Sequence, residues 1–317
     1  MLENFIYSIN VTLPIFLVMV LGWFLRQRGM LNDNFVNVAN KFNFSVTLPF
    51  MVFRDIAAVD IRAVFDLKYV LFCAISTSIC FWGIWGLARL FIRDKSLIGA
   101  FVQAAFRSSA AVMGLAFISN LYGPSAMGPL MIIGAVPLYN IYSVIVLTFE
   151  ADSGEEQKDT GKIKEACVNI AKNPIIISIA LGLAASLLQL DFPVLVDKTI
   201  DNVAKMATPL ALITLGAGFE GKKALAKLKP TLWASFLKLV AQAAVFIPAA
   251  IWLGFTGEKL IAIMVMLAAP ATPSCYIMAK NMNNDGVLTA SIVVTTTLLA
   301  AFTLTGWIFI LRSLGYI

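Results

Sequence analysis

Charged positions in this chain are confined to short stretches between long apolar blocks. Uncharged apolar runs occupy residues 4–25, 69–88, 173–190, 260–279 and 286–311. Three further blocks carry one or two basic residues, near 34–53 with Lys41, 198–219 with Lys205 near its start, and 230–254 with Lys238. Residues 108–149 carry no charge, and together with the stretch from Leu97 they exceed one helix. The turn signal Asn120-Leu121-Tyr122-Gly123-Pro124 divides them into two. Runs of about 20 apolar residues match the thickness of a bilayer. The pattern therefore predicts ten membrane-spanning helices.

Composition agrees with that reading. Of 317 residues, 60% are hydrophobic and 13% charged, with a mean hydropathy of +0.86. A soluble domain is closer to half apolar and a quarter charged, so a water-soluble enzyme and a disordered chain are both excluded. Ten spans of about 21 residues leave only short connections and no room for a soluble domain. The net charge of +6 then belongs to loop-charge bias rather than to nucleic-acid binding, and no nucleic-acid partner is expected. There is no histidine, which removes His-based metal sites and Ser-His or Cys-His dyads. The four cysteines form no CxxC pair and suit small buried hydrophobes. The N-terminus lacks a positive signal-peptide region and a cleavage site, so its apolar run is expected to be kept as the first span.

With the N-terminus outside, loops on the inner side carry fourteen Lys and Arg and outer loops seven. This bias predicts both termini outside, and residues 150–172 as a cytoplasmic linker of Glu, Lys, Asp, Gly and Ser. The halves on either side are alike. An offset of 160 carries Pro14-Ile15 and Leu21-Gly22 onto Pro174-Ile175 and Leu181-Gly182, and Pro49 onto Pro209. An offset of 163 carries Leu97-Ile98 onto Leu260-Ile261 and Gly123 onto Gly286. Residues 1–149 and 174–317 are thus predicted as two five-helix repeats joined by a linker at 150–173. Five is odd, so the second repeat enters from the opposite side, the inverted arrangement of many secondary transporters. All eighteen Asp and Glu fall in loops or at span ends, so no intramembrane aspartate pair exists and an enzyme is not expected.

Transporters of this kind bind substrate where a helix of each half is interrupted. The ninth span contains Pro270 and Pro273 with Thr272 between them and Ser274 after, which removes backbone hydrogen bonds in mid-span. In the fourth, Ser108, Ser109 and Gly114 could loosen the helix without a proline. Arg107 lies near the middle of that span, where an arginine costs about 2.5 kcal/mol or more. No span offers it a carboxylate. It either donates to freed carbonyls of the ninth span, receives the carboxylate of an anionic substrate, or lines a water-filled cavity. Lys41 and Lys238 lie nearer the cytoplasmic ends, where snorkelling to the interface is expected. The prolines at 14, 49, 174 and 209 serve either packing or the site.

These motifs resemble those of the auxin efflux carrier family, which includes plant PIN proteins and many bacterial carriers. The similarity rests on Phe106-Arg107-Ser108-Ser109 with Gly114-Leu115 in span four, and on Ala268-Ala269-Pro270-Ala271-Thr272-Pro273-Ser274 with Met278-Ala279-Lys280 and Asp285 in span nine. Val46-Thr47-Leu48-Pro49 and Thr295-Thr296-Thr297-Leu298 add to it. Ser109 departs from the family's usual Asn, and Ala116 from its usual proline. The resemblance implies an all-α fold like that of sodium/proton antiporters and bile-acid symporters, with ten helices in a 5+5 inverted repeat and crossed broken helices four and nine. It also implies a scaffold of spans 1, 2, 6 and 7, elevator-type alternating access, a homodimer in the cytoplasmic membrane, and malonate or malate as typical bacterial substrates.

The expected function is a secondary transporter of a small carboxylate. Substrate contacts are expected from Arg107, Ser108, Ser109, Thr272, Ser274 and Tyr276, with Pro49 and Pro209 lining the site. Gly114, Pro270 and Pro273 would break the crossing helices. No cofactor or metal is expected, and the coupling ion, H+ or Na+, stays open, as does uniport. A channel, a non-transporting sensor, or a carrier of a neutral solute with a structural Arg107 are the alternatives.

Overall fold

A computed structural model describes residues 2–58, 66–110, 118, 127–151, 167–168 and 170–317. All regular structure among them is helical. Helix α1 (Leu2–Gln27) is followed by α2 (Asp33–Phe42), which runs through a π-helical turn at Asn43–Thr47 into α3 (Leu48–Ala57). Next come α4 (Leu67–Phe91), α5 (Ile98–Phe106) and α6 (Met127–Phe149). The second half holds α7 (Pro174–Leu188), α8 (Val194–Lys205), α9 (Ala207–Ala217) and the short α10 (Gly221–Ala226). Helix α11 (Leu228–Phe236) passes through a second π turn, Leu237–Ala241, into α12 (Gln242–Trp252). The chain closes with α13 (Gly257–Ala268), α14 (Ser274–Asn281) and α15 (Gly286–Ser313). The turn at 120–124, Gly114 and most of the linker lie outside the described residues.

Helix starts follow local chemistry. Asp66 accepts from the Tyr69 amide to cap α4, and Asp285 accepts from Leu288 to cap α15. Asn173 caps α7, whose first residue is Pro174, where a missing N–H costs nothing. Among the described helices, Leu67–Phe91, Leu130–Phe149, Leu228–Trp252 and Gly286–Ser313 are long and apolar enough to cross a membrane. One face of α4 presents Leu71, Ile75 and Ile79, each about half exposed, at successive four-residue steps. Its other face buries Tyr69, Cys73, Cys80 and Phe81. An outward apolar stripe of this kind suits lipid.

The helices pair across the two halves in matching ways. Helix α1 packs against α9, and α3 against α7. Under the 160-residue offset α1 corresponds to α7 and α3 to α9, so each contact is the other with its halves exchanged. The match reaches single residues: a Cβ at Gly22 would strike the backbone of Ile213, and a Cβ at Gly182 would lie 3.1 Å from the carbonyl oxygen of Phe53. Gly182 and Phe53 are the offset partners of Gly22 and Ile213. Likewise α5 packs on α15, and α13 on α6.

The two helices that stop short sit deepest. Every residue of α5 is buried, as is every residue of α13 from Leu260 to Ala268. Lys41 is exposed, in keeping with a snorkelling side chain. Lys238 is not: it has no exposed surface. The expectation that it reaches the interface is corrected by the packing of α5, α13 and α15 around the second π turn.

Candidate functional site

Both breaks have local causes. Helix α13 ends where Ala269 turns extended, at φ −68° and ψ 152°, a conformation that the following Pro270 favours sterically. Pro273 then stands at the entry to α14, where its fixed φ suits a helix start. Helix α5 ends at Arg107, also extended, at φ −76° and ψ 135°. No proline forces this second break. It is held from outside: the Gln242 side chain on α12 donates to the Ala105 carbonyl at 2.5 Å, supplying a partner that helix continuation would otherwise provide.

The broken segments bond to each other. The Ser109 amide donates to the Pro270 carbonyl at 2.9 Å, and the Ser108 hydroxyl to that of Ala269 at 3.4 Å. The Ala271 amide donates to Thr296 Oγ1 on α15 at 3.2 Å. At the end of α13, the Tyr139 hydroxyl donates to the Met266 carbonyl at 3.1 Å, and Lys238 Nζ to that of Leu267 at 2.9 Å. Unpaired carbonyls in an apolar interior are costly. Here side chains from α6, α15 and the α11–α12 rod take up the exposed polar groups of the breaks.

Arg107 plays a different part from the brace that sequence allowed. Arg107 is 5% exposed. Nη2 donates to Asn140 Oδ1 at 2.8 Å, while Nη1 donates to Ser143 Oγ at 3.4 Å and contacts the Met278 sulfur at 2.8 Å. None of its hydrogen bonds to described residues reaches a carbonyl of the break between α13 and α14. Tyr139 and Lys238 fill that role instead. Of the five guanidinium N–H groups, those bonds engage two on Nη1 and one on Nη2. The Nε–H and the second Nη2 hydrogen have no acceptor among the described residues. No ion pair involves Arg107 or Lys238 among the described residues, and no carboxylate lies within a span anywhere in the sequence.

The predicted site residues are only partly gathered. Arg107, Ser108, Ser109, Pro270, Thr272, Pro273 and Ser274 meet at the paired breaks, with the hydroxyls of Thr272 and Ser274 3.2 Å apart. Tyr276 is buried further along α14, its hydroxyl against Gly218 at the end of α9. Helix α14 also packs on α2, the first π turn and α9, so the stretches predicted as spans two and seven both reach it. Pro49 is buried just after that π turn. Pro209 is exposed. Gly114 lies outside the described residues.

Sequence reasoning passed over Gln242, Asn140, Ser143 and Tyr139. A signal was present: Lys238 and Gln242 are four apart, and Asn140 and Ser143 three apart, each pair on one helical face of an apolar run. Among the described residues, no group of three His, Cys, Asp or Glu side chains is placed to hold a metal ion.

Known proteins share this sequence pattern. A family model described as "Membrane transport protein" matches residues 7–308. A Rhizobium meliloti (strain 1021) protein named "Putative malonate transporter" is 23% identical over 319 residues, covering 96% of each chain. The "Uncharacterized transporter YfdV" of Escherichia coli (strain K12) is 22% identical over 221 residues, 68% of this chain and 70% of that one. With apolar helices surrounding two buried breaks and a family match over nearly its whole length, the chain belongs to the membrane transport protein family and is a multi-pass transporter rather than an enzyme.

Proposed function

We propose that the protein is a secondary carrier of a small organic anion, a carboxylate or dicarboxylate. The observation that carries this reading is the isolation of Arg107 at the paired breaks: a buried guanidinium with no carboxylate, whose Nε–H and second Nη2 hydrogen have no described acceptor. A guanidinium with N–H groups left over can meet a carboxylate in two parallel hydrogen bonds. The hydroxyls of Ser108, Thr272 and Ser274 would complete the ligand's hydrogen bonding, with Ser109 holding the two breaks together. The malonate name of the Rhizobium meliloti relative points to the same chemistry.

The reading extends to mechanism. The exchanged contacts α1–α9 and α3–α7, and the offset pairs Gly22–Ile213 and Gly182–Phe53, support a 5+5 inverted repeat. The Ser109–Pro270 hydrogen bond supports breaks that cross at mid-depth. Spans 1, 2, 6 and 7 then form a scaffold, against which the remaining helices carry the site across the cytoplasmic membrane in an elevator-type motion. Both termini lie outside, and two copies assemble as a homodimer.

The test is uptake of labelled malonate and malate into proteoliposomes, with the wild-type chain and Arg107→Ala side by side. Saturable uptake with counterflow that Arg107→Ala abolishes is expected. Conductance without saturation or counterflow would make the protein a channel. Equal uptake by both proteins would make Arg107 a purely structural residue and place the substrate site elsewhere.

A further inference from the structure

Lys238 is a buried charge that anion recognition by Arg107 leaves unused. It sits in the π turn Leu237–Ala241, with no exposed surface, and donates to the Leu267 carbonyl at 2.9 Å. Single π turns inside α-helices occur often at functional positions. The elements around it offer no counter-charge. Helix α13 presents only that carbonyl, since Glu258 and Lys259 lie in its first turn, roughly 12 Å or more away along the axis. Arg107 follows the end of α5, and α4 and α14 bring the thiols of Cys80 and Cys275 within electrostatic reach. Helix α15 contributes Trp307, whose indole N–H donates to Leu239, and its one charged residue, Arg312, is at the far end.

We propose that Lys238 is the proton-binding site of this carrier, so that each anion crosses together with one proton held on Nζ. The proposal rests on the anion reading above. Lysine is a side chain whose charge state responds readily to burial, and this one has no carboxylate to fix it as an ammonium. The two breaks couple it to the site. Lys238 holds Leu267, Ala269 accepts from Ser108, and Ser108 adjoins Arg107. An anion arriving at Arg107 adds a negative charge beside that network and favours an ammonium on Nζ. The lone pair takes a proton from water on the side where the anion binds and returns it to water on the other. With the anion gone, the empty carrier resets with a neutral amine, which still donates an N–H to Leu267.

The experiment uses proteoliposomes and labelled malonate in two modes. Counterflow at equal pH needs anion exchange but no net proton movement. Accumulation driven by an acidic exterior needs both, and an interior pH dye follows the proton. The variants are Lys238→Arg, which keeps donor and charge but cannot release the proton, and Lys238→Gln, a neutral donor. Wild type is expected to show both modes, with interior acidification. Both variants are expected to retain counterflow while gradient-driven accumulation falls to the level seen without a gradient. Full pH-driven accumulation in Lys238→Arg overturns the proposal, and so does gradient-driven accumulation by the wild type without interior acidification. Loss of counterflow in the wild type itself refutes the anion reading, and this role falls with it. If Lys238→Gln does not fold, Lys238→Arg decides alone.

Discussion

Replacing Gly22 and Gly182 separately by alanine tests how far the two halves are equivalent. In sequence the positions are twins, each the second residue of a Leu-Gly pair. In the fold their surroundings differ. A methyl on Gly22 would overlap the Ile213 carbonyl oxygen and lie 3.0 Å from both its carbonyl carbon and Cα, all rigid backbone of α9. A methyl on Gly182 would lie 3.1 Å from the Phe53 oxygen and from Cβ of Ile56, and 3.3 Å from Ile56 Cγ2. There a shift of a few tenths of an ångström suffices. Overpacking costs about 1–3 kcal/mol, and the backbone clash at Gly22 belongs at the upper end. Alanine returns about 1 kcal/mol of helix propensity at either position. The balance is a loss of about 2 kcal/mol for Gly22→Ala and little change for Gly182→Ala. Thermal unfolding of the detergent-purified protein, followed by fluorescence-detected size exclusion, reads the difference as a lower midpoint for Gly22→Ala alone. Equal midpoints for the two variants would refute the close-approach argument.

The remaining predictions concern the breaks and one loop. Gln242→Leu leaves the buried Ala105 carbonyl without its donor, so the protein should lose about 1–3 kcal/mol of stability in chemical unfolding. Tyr139→Phe withdraws the hydroxyl from Met266 and should act in the same direction by a similar amount. Where α4 and α13 begin, hydrogen bonding from Lys259 holds the Asp66 carboxyl below its ordinary range. A lowered folded-state pKa adds stability that is complete above the unfolded value and is lost as pH falls through the folded one. Stability should therefore decline on the acid side, below about pH 4. Asp66→Asn, which keeps the helix cap, should flatten that decline by about 1 kcal/mol or less, as exposed pairs do. An unchanged acid-side slope in the variant would dismiss this pair as a contributor.

Much of the architecture was legible in the chain alone because its causes are local. Apolar runs set where helices lie, since each must bury its own backbone polar groups. Pro270 and Pro273 mark the break between α13 and α14 because a proline lacks an N–H and constrains its predecessor. The isolation of Arg107 from any intramembrane carboxylate was likewise a property of the sequence. The break after Phe106 was harder to see, for no residue there forbids a helix. Its cause sits 137 positions away in Gln242.

What only the tertiary structure decided is which side chain serves which freed group. Sequence left Arg107 three parts, one of them donor to the broken Pro270 segment; in the fold Tyr139 and Lys238 do that work, and Arg107 turns to Asn140, Ser143 and Met278. It also sent Lys238 to the interface, whereas the fold buries it, and it did not distinguish the buried Pro49 from its exposed offset partner Pro209. The physical reason is common to all of these. Helix periodicity and proline geometry act over a few residues, whereas a carbonyl freed in an apolar interior takes whichever donor packing brings within about 3 Å. Partners 127, 137 and 171 residues apart are chosen by how the helices stack.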